Sequence, residues 1–387
     1  MNKKREIIVV LPHTPWNFPC DYIKRTSSQL AKRGRVIILN LLNYPTLRNL
    51  VCGLPKRGLV SSKKICFFPS FGLLPFQRIK LINRLNTFLV ILFFRIFYFA
   101  KFGREKAIFW TFSPQLAKWI NFFRWRKTLV YDRIDQPASV DPERDKRLKL
   151  EDKKLLQIAD YVFVNSPYTL RYVQRYNKNS FLVPCGCATG LFLEKKGGVP
   201  GEIEKIKKPI IGFVGNLDHR LNFKLLYPLI EKNKNWSFVF VGKIHAWDPK
   251  AARKVKLEKN LQKLKKLPNV YFLGQKPKEE MPDLISGFDV CLIPYDISQE
   301  FVLGSNPMKL YEYLAMGKAV VSTPIEAVKI YQPVVKIGKN AEEFEKAIAE
   351  SLKHNNNKER EKRRKIALEN SWEEKVKKMW EIVLFPQ

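Results

Sequence analysis

The chain has 387 residues, 45% of them hydrophobic, which is enough for two ordinary domains and excludes a globally disordered chain. Its 70 Lys and Arg residues against 36 Asp and Glu residues give a formal net charge of +34. Such a surface attracts nucleic acid, an acidic lipid leaflet or a phosphorylated substrate. No helix-turn-helix, RNP or zinc-finger signature is present and the basic residues are spread along the chain, so nucleic acid is not expected.

The chain opens on a strand–helix–strand pattern. The apolar run Ile7 to Leu11 predicts a buried strand and is too short for the apolar region of a signal peptide. A helix over 22–33 and a strand over 36–39 complete a βαβ unit. No Gly-x-Gly-x-x-Gly opens this helix, so a nicotinamide-dependent dehydrogenase is not expected. Further strands are predicted over 65–68, 107–112, 128–131, 161–165 and 180–183.

An aromatic and basic segment covers residues 85–102. It is too short, and too interrupted by Arg95, to span a bilayer comfortably. Two interpretations stay open: a core helix, or a helix at the headgroup boundary of a membrane. Residues 119–127 repeat the mixture of aromatic and basic side chains. We therefore predict contact with an anionic membrane or the acceptor through Phe93, Phe94, Arg95, Trp119, Trp125 and Arg126.

The Lys- and Gly-rich stretch after residue 195 predicts an interdomain linker. A second alternation follows, with strands predicted over 210–214, 238–241, 270–273, 290–293, 319–322 and 334–337. We predict an α/β protein of two Rossmann-like, doubly wound domains: residues 1–195, linker 196–208, residues 209–370 and a C-terminal helix over 371–387. Sheets of this kind bind ligands at the carboxyl ends of their strands, so the site is expected in a cleft between the domains.

Residues 304–322 predict a loop, a short helix and a buried strand. Asn306 suits the N-cap, and Gly317 suits the left-handed position that ends a helix. The start of such a helix attracts anions, and Lys309 adds a full positive charge in the first turn. Glu312 shares a face with Lys309. On this pattern alone, a phosphate and sugar site and a plain Lys309–Glu312 ion pair are equally good interpretations.

Two more segments should end at the same edge of the second sheet. The strand 210–214 continues into a Gly-Asn turn and Arg220, and Tyr295 follows the strand 290–293. A guanidinium and an ammonium together suit a diphosphate. The predicted donor-binding set is Gly215, Asn216, Arg220, Tyr295, Ser305, Asn306, Lys309, Leu310 and Glu312.

The order of these motifs resembles the nucleotide-sugar half of GT-B glycosyltransferases. The resemblance rests on Gly-x-x-Gly-Asn from residue 212, Asn-Val-Tyr-Phe-Leu-Gly from residue 269, and above all Asn-Pro-x-Lys-x-x-Glu from residue 306. The chain is most similar to bacterial enzymes of cell-surface polysaccharide synthesis, such as the teichuronic-acid type. The resemblance implies a GT-B fold whose C-terminal helix crosses back to the first domain. It also implies that Glu312 binds the donor ribose while Lys309 and Arg220 hold the diphosphate.

One departure from the family concerns the mechanism. Many retaining members carry Glu-x7-Glu, and Gly304 stands where the first of these two carboxylates would be, with Glu312 as the second. The retaining mechanism therefore does not carry over directly, and inversion and retention both stay open.

The candidate catalytic base lies in the first domain. The segment 129–136 follows a predicted strand and resembles the Tyr-x-x-x-Asp segment of the xanthan glucuronosyltransferase, whose Asp is the base; this implies Asp135. Asp135 as a turn residue, and His13 as the base, are the alternatives. No metal or other cofactor is expected, because the GT-B architecture requires no cation and positive side chains can stabilise the departing nucleoside diphosphate.

The predicted function is transfer of a sugar from a nucleoside-diphosphate sugar, namely a UDP-sugar, to a lipid-linked or cell-surface polysaccharide acceptor. The expected location is cytoplasmic, peripheral to the inner face of the cell membrane. A nucleotide-sugar epimerase of the same fold, and a non-catalytic basic protein that binds membranes or nucleic acid, are the alternatives.

Overall fold

The chain folds as two compact units, each built on one parallel sheet. The first unit comprises Met1–Val164, Thr169–Val183 and Val376–Gln387, and the second comprises Asn165–Tyr168 and Pro184–Lys375. The predicted return of the C-terminal helix to the N-terminal domain is confirmed, since its residues from Val376 onward group with the first unit. This computed structural model describes residues 6–12, 14, 21–41, 65–70, 73–74, 79–134, 136–137, 141–193, 197–244 and 251–385.

Seven parallel strands form the sheet of the first unit, in the order β3-β2-β1-β4-β5-β6-β7. They are β1 (Glu6–Leu11), β2 (Gly34–Ile38), β3 (Ile65–Phe67), β4 (Ala107–Thr111), β5 (Arg126–Arg133), β6 (Tyr161–Val164) and β7 (Ser180–Leu182). The central strands are apolar over most of their length, at 7–11 in β1 and 107–110 in β4, because helices cover both faces. The order reverses between β1 and β4, so the switch point at which such sheets bind ligands lies at the carboxyl ends of these strands.

Helices pack on both faces of this sheet. They are α1 (Asp21–Leu30), α2 (Lys80–Phe102), the 3₁₀ helix Pro114–Phe122, α3 (Pro142–Ile158) and α4 (Pro167–Val173). On one face, α2, the 3₁₀ helix and α3 enclose a core rich in aromatic rings. Phe94 lies at its centre, with its ring centroid 5.1 Å from that of Phe68 and 6.2 Å from that of Phe123.

The segment that the sequence left open as core or interfacial forms α2, which is buried on one side and exposes apolar residues on the other. Among the described residues it is the one helix long and apolar enough to cross a membrane by length and composition, with 23 residues and a mean hydropathy of 1.6 in its most apolar window. The argument that it is too short to span is therefore wrong, because the helix continues upstream to Lys80. Core helices pass the same test, and Val90, Ile91 and Phe94 are buried in the core.

Six parallel strands form the sheet of the second unit, in the order β10-β9-β8-β11-β12-β13. They are β8 (Ile210–Val214), β9 (Ser237–Val241), β10 (Val270–Gly274), β11 (Val290–Ile293), β12 (Ala319–Ser322) and β13 (Lys336–Ile337). The order reverses between β8 and β11. The predicted doubly wound architecture is thus confirmed in both units, and each predicted strand forms within two residues of its expected bounds.

The helices after Pro184 are mostly short. They are α5 (Thr189–Phe192), α6 (Gly201–Glu204), α7 (Phe223–Lys232), α8 (Ala251–Lys265), α9 (Met281–Ser286), α10 (Glu300–Leu303), α11 (Lys309–Ala315), α12 (Glu326–Lys329), α13 (Ala341–Lys353), α14 (Asn357–Glu369) and α15 (Trp372–Leu384), with a 3₁₀ turn at Lys278–Glu280. The stretch predicted as a linker over 196–208 contains α6, whose Ile203 is buried.

A buried polar network ties β5 to α3 in the first unit. The Arg133 guanidinium forms an ion pair with the Asp152 carboxylate, with Nε and NH2 each 3.0 Å from a carboxylate oxygen. Both side chains are 2% exposed. The Tyr131 hydroxyl donates to Asp152 at 2.8 Å, and burial, followed by the Asp152 charge, raises the pKa of this phenol well above its ordinary value, so it remains a donor.

Removing the carboxylate from this network should destabilise the first unit strongly. We expect Asp152→Ala to lower the free energy of unfolding by about 3–5 kcal/mol, because it leaves the Arg133 charge buried without its counter-ion. Asp145→Ala on the same helix removes the partly exposed partner of the exposed Lys149 and should cost less than about 1 kcal/mol. Urea unfolding of the three proteins measures the difference, and equal midpoints for the two variants would contradict it.

Candidate functional site

The candidate site is assembled around the start of α11, at the carboxyl edge of the second sheet. α11 begins at Lys309, so the prediction that Asn306 caps the helix is wrong. The Asn306 amide instead donates to the carbonyl oxygen of Asn165 at 2.7 Å. Gly317 follows the helix with φ +67°, as predicted, because a left-handed residue ends it.

A hydrogen bond fixes α11 against the end of β8. The Val214 amide donates to the Tyr313 hydroxyl at 2.7 Å. Lys309 lies four residues before Tyr313 and therefore on the same face of the helix, which carries its side chain to the turn after β8. A Cβ atom on Gly215 would lie 2.3 Å from the Lys309 ammonium nitrogen, and Gly215 has φ +139°, so only glycine leaves room for this lysine.

The Lys309 ammonium is buried and makes no hydrogen bond within the described part of the chain. It lies 3.7 Å from the centroid of the Phe213 ring and 5.0 Å from that of Tyr295. Burial, and next the positive charge of Arg220, hold the pKa of Lys309 well below its ordinary value, against the opposing charges of Asp218 and Glu312. A buried cation without a hydrogen-bonding acceptor is costly, so this nitrogen is suited to receive an anion.

Arg220 is held beside Lys309 by Asp218. The Arg220 guanidinium forms a bidentate pair with Asp218, with 2.9 Å from Nε to Oδ1 and 2.6 Å from NH2 to Oδ2. Asp218 is fully buried, whereas the Arg220 side chain is 22% exposed. The guanidinium carbon lies 5.2 Å from the centroid of the buried Tyr295 ring. Lys309 and Arg220 therefore share one aromatic platform and form the positive end of the site.

Backbone hydrogen bonds join the two loops that carry these groups. The Asp296 amide donates to the Arg220 carbonyl at 2.7 Å, and the Asn222 amide donates to the Pro294 carbonyl at 2.8 Å. The loop after β8 and the loop after β11 are thus one rigid edge, which positions Arg220 with little freedom left to lose on binding.

Glu312 is the acidic end of the site. It is 6% exposed and forms an ion pair with Lys278, which precedes α9 in the chain. Of the two interpretations left open for Lys309 and Glu312, a plain ion pair between them is wrong, because Glu312 pairs with Lys278 instead. The Lys278 ammonium also lies 5.3 Å from the centroid of the Phe192 ring.

The remaining predicted donor residues differ in what they can contribute. Asn216 is exposed beside Gly215 and is open to a ligand. The Ser305 hydroxyl donates to the Val302 carbonyl at 2.8 Å. The Leu310 side chain is fully buried, and its place in the donor-binding set stays a prediction.

The predicted membrane and acceptor residues lie in the first unit and fall into two groups. Phe93 is 48% exposed and Arg95 is exposed, with its guanidinium 5.5 Å from the centroid of the Trp125 ring. Phe94 is fully buried, so its predicted place on a membrane face is wrong. Arg126 donates to two carbonyls at the end of the 3₁₀ helix, and Trp119 is half-buried on that helix.

The two candidate bases, Asp135 and His13, lie outside the described residues, so both assignments stay predictions. Among the residues that the structure does describe, no three His, Cys, Asp or Glu side chains are grouped so that they could hold a metal ion.

Comparison with known proteins agrees with this geometry. The family "Glycosyl transferases group 1" matches residues 201–369, which contain every predicted donor residue. The match identifies this segment as a group 1 glycosyltransferase domain. Among curated proteins, this glycosyltransferase is 26% identical over 245 residues to TuaH of Bacillus subtilis (strain 168), assigned by name to teichuronic acid biosynthesis. The match covers 60% of the chain and spans 59% of the length of that relative.

Solved structures establish the fold of this glycosyltransferase over nearly its whole length. Sucrose-phosphate synthase from Thermosynechococcus elongatus matches with a TM-score of 0.69 at 18% identity, covering 98% of each chain. Anabaena HepE in complex with UDP and glucose matches with a TM-score of 0.65 at 14% identity, covering 98% of this chain and 100% of that one. The predicted GT-B fold is thus confirmed.

Sequence reasoning missed two residues of the glycosyltransferase site. Asp218 orients Arg220 from two positions upstream, and this short spacing is a signal that could have found it. Lys278 lies in a charged stretch far along the chain from its partner Glu312, and no local pattern distinguishes it from the other lysines.

The depressed pKa of Lys309 predicts proton uptake on binding of a nucleoside diphosphate. Above about pH 7 the terminal phosphate is fully ionised, so the binding of this dianion favours the charged form of Lys309. Affinity should therefore fall as pH rises through the pKa that Lys309 has in the free protein.

Calorimetry in two buffers of different ionisation enthalpy measures this uptake. We expect Lys309→Met to weaken binding about tenfold or more and to lose most of the uptake. Lys234 is an exposed lysine of the same unit, so Lys234→Met serves as the control and should keep both the affinity and the proton uptake of the wild-type protein. Unchanged uptake in Lys309→Met would rule out Lys309 as the titrating group.

Proposed function

We propose that this glycosyltransferase transfers a sugar from a UDP-sugar to a lipid-linked or cell-surface polysaccharide acceptor. The observation that carries the proposal is the buried Lys309 ammonium without a hydrogen-bond acceptor, beside Arg220. Two cations on one aromatic platform match the two phosphates of a nucleoside diphosphate. The names of the relatives support the finer choice, since HepE was solved with UDP and glucose and TuaH is named for teichuronic acid biosynthesis.

The proposed chemistry divides between the ends of the site. Lys309 and Arg220 stabilise the negative charge that develops on the leaving diphosphate, a task that fixed positive groups in a water-poor site perform well. Glu312 accepts hydrogen bonds from the ribose hydroxyls, for which its buried carboxylate is suited. The proton of the acceptor hydroxyl goes to a base, for which Asp135 is the candidate.

A thermal-shift series tests the donor proposal. At a hundred times its dissociation constant, UDP should stabilise the protein by about 2.7 kcal/mol. ADP and GDP at the same concentration should stabilise it less, and an oligonucleotide should not stabilise it. Stabilisation by the oligonucleotide alone would overturn the enzyme assignment. Conversion of a UDP-sugar to its epimer without release of UDP would favour the epimerase.

Glu312→Ala separates recognition of the ribose from recognition of the phosphates. Loss of the carboxylate should lower affinity for UDP about tenfold and remove the preference for UDP over 2′-deoxy-UDP. The matched control is Glu279→Ala, an exposed carboxylate next to Lys278, which should preserve that preference. If Glu312→Ala still discriminates between the two nucleotides, Glu312 does not bind the ribose.

Asp135→Asn tests the proposed base. We expect this variant to bind UDP normally and to lose transfer, because an amide cannot accept the acceptor proton while its shape is kept. UDP release in the presence of acceptor-containing membranes measures transfer, with His13→Ala as the competing variant and Asp145→Asn, a partly exposed carboxylate on α3, as the control. Near-normal turnover in Asp135→Asn together with loss in His13→Ala would transfer the role to His13.

We also propose that the protein is peripheral to the cytoplasmic face of an anionic membrane, through α2. Its exposed apolar residues recur every three or four positions and form one stripe: Leu81, Leu85, Phe88, Leu92, Ile96 and Phe99. Phe93, also exposed, lies beside it. The helix carries lysines and arginines but no acidic residue, so anionic headgroups complement its charge.

Vesicle sedimentation tests the membrane proposal. We expect binding to phosphatidylglycerol-containing vesicles but not to phosphatidylcholine vesicles, weakened by salt. The double variant Phe93→Ser and Ile96→Ser should lose most of it, whereas Leu150→Ser and Ile158→Ser, two exposed apolar residues of α3, should not. Equal binding of the two vesicle types, or equal loss in both double variants, would refute attachment through α2.

A further inference from the structure

A cavity of about 270 Å³ lies in the first unit, whereas the donor residues belong to the second. Its lining includes Leu41, which follows β2, and Gln115, which follows β4. The cavity therefore opens at the carboxyl edge of the first sheet, where β1, the strand between these two, also ends. This is the edge at which doubly wound sheets bind ligands.

The charge of the cavity is strongly positive. Four cations line it against one carboxylate, with Lys80 and Arg84 from α2, Lys118 from the 3₁₀ helix, and Arg147 and Glu151 from α3. Within the described residues no ion pair joins any of these five to another residue. Four gathered cations repel one another, and an anion between them would relieve that repulsion. The two arginines present forks that match phosphate oxygens.

The size of the cavity selects a small group. Sites for drug-sized ligands begin at about 300 Å³, so this cavity suits a phosphate-bearing headgroup better than a whole nucleotide sugar. Trp119 also lines the cavity, with the Lys118 ammonium 5.6 Å from its ring centroid. A half-exposed tryptophan beside cations is typical of the boundary between membrane headgroups and hydrocarbon.

An apolar surface begins directly beside the cavity. Lys80 and Arg84 line the cavity, and the next residue after each, Leu81 and Leu85, is 74% and 46% exposed. Successive residues on a helix are about 100° apart, so a cationic stripe and an apolar stripe run side by side along the first turns of α2. The apolar stripe then continues through the rest of the helix. This arrangement fits one molecule that has an anionic head and a hydrocarbon chain.

We propose that this cavity binds the phosphate or diphosphate group of a lipid-linked acceptor, whose hydrocarbon chain lies along the exposed stripe of α2. The inference rests on the proposed function and deepens it, because it selects the lipid-linked acceptor over a free polysaccharide. Arg84 and Arg147 hold the phosphate oxygens, Lys80 and Lys118 complete the neutralisation, and Leu81 and Leu85 contact the first part of the chain.

Direct binding of a short prenyl diphosphate to the full-length protein tests the site. Below its micelle-forming concentration, farnesyl diphosphate should bind at least about tenfold more tightly than inorganic pyrophosphate or farnesol, since only it engages both stripes. Arg84→Gln with Arg147→Gln should weaken this binding about tenfold per arginine. Arg104→Gln with Arg144→Gln removes two exposed arginines near the same helices that do not line the cavity, and should leave binding unchanged.

A second pair of variants tests the apolar stripe in the same binding experiment. Leu81→Ser with Leu85→Ser should weaken binding of farnesyl diphosphate and leave that of pyrophosphate unaltered. Both residues are exposed, so the pair leaves the core intact. Equal affinity for pyrophosphate and farnesyl diphosphate, or equal losses in the two arginine pairs, would overturn the proposal.

Binding of UDP to the same variants separates this inference from the proposed function. Loss of farnesyl diphosphate binding with normal UDP binding in Arg84→Gln with Arg147→Gln supports the cavity as the acceptor site. A wild-type protein that binds UDP but not farnesyl diphosphate refutes the cavity alone. A wild-type protein that binds farnesyl diphosphate but not UDP refutes the donor proposal instead.

Discussion

The second unit is organised around an ammonium group that is buried without a carboxylate to neutralise it. Lys309 can occupy this place because Gly215 has no side chain, because Tyr313 anchors the helix four residues on, and because the rings of Phe213 and Tyr295 provide a polarisable lining. These features leave room for the buried amine, and its burial lowers its pKa and disfavours the charged form until an anion binds. The free protein therefore keeps a destabilising group, as functional sites commonly do.

The two units use the same sheet architecture for different kinds of positive surface. In the second, Arg220 lies on a short loop that is hydrogen-bonded to its neighbour, and Lys309 and Glu312 lie on the short helix α11, where Glu312 forms an ion pair with Lys278. In the first, the cations stand on long helices beside exposed apolar residues. A compact, preorganised edge suits a small polar ligand. A long amphipathic face suits a ligand, or a surface, that is itself amphipathic.

Most of the fold follows from sequence because parallel strands buried on both faces appear as continuous apolar runs, as at Ile210–Val214. Hydrogen bonds between distant segments, by contrast, cannot be predicted from the sequence. Asn306 has the composition of a helix cap, yet its amide bonds Asn165, 141 positions away. Phe93 and Phe94 are neighbours in a predominantly apolar helix, and only the packed structure shows that the second faces the core. The candidate bases lie in segments that the structure does not describe, so there the chemistry rests on resemblance.

The ion pair between Lys278 and Glu312 changes how a nucleotide would be selected. A ribose that reaches Glu312 would replace the Lys278 ammonium as the partner of the carboxylate, so the net gain in affinity is the difference between the two interactions. A nucleotide that lacks the hydroxyl leaves the pair intact and gains nothing there. Under the proposed function, Glu312 would distinguish sugars that carry the hydroxyl from those that lack it, and the displaced Lys278 ammonium would become available to a group that enters beside it. Glu312 would thus select the sugar of the nucleotide, whereas Lys309 and Arg220 would supply most of the affinity by binding its phosphates.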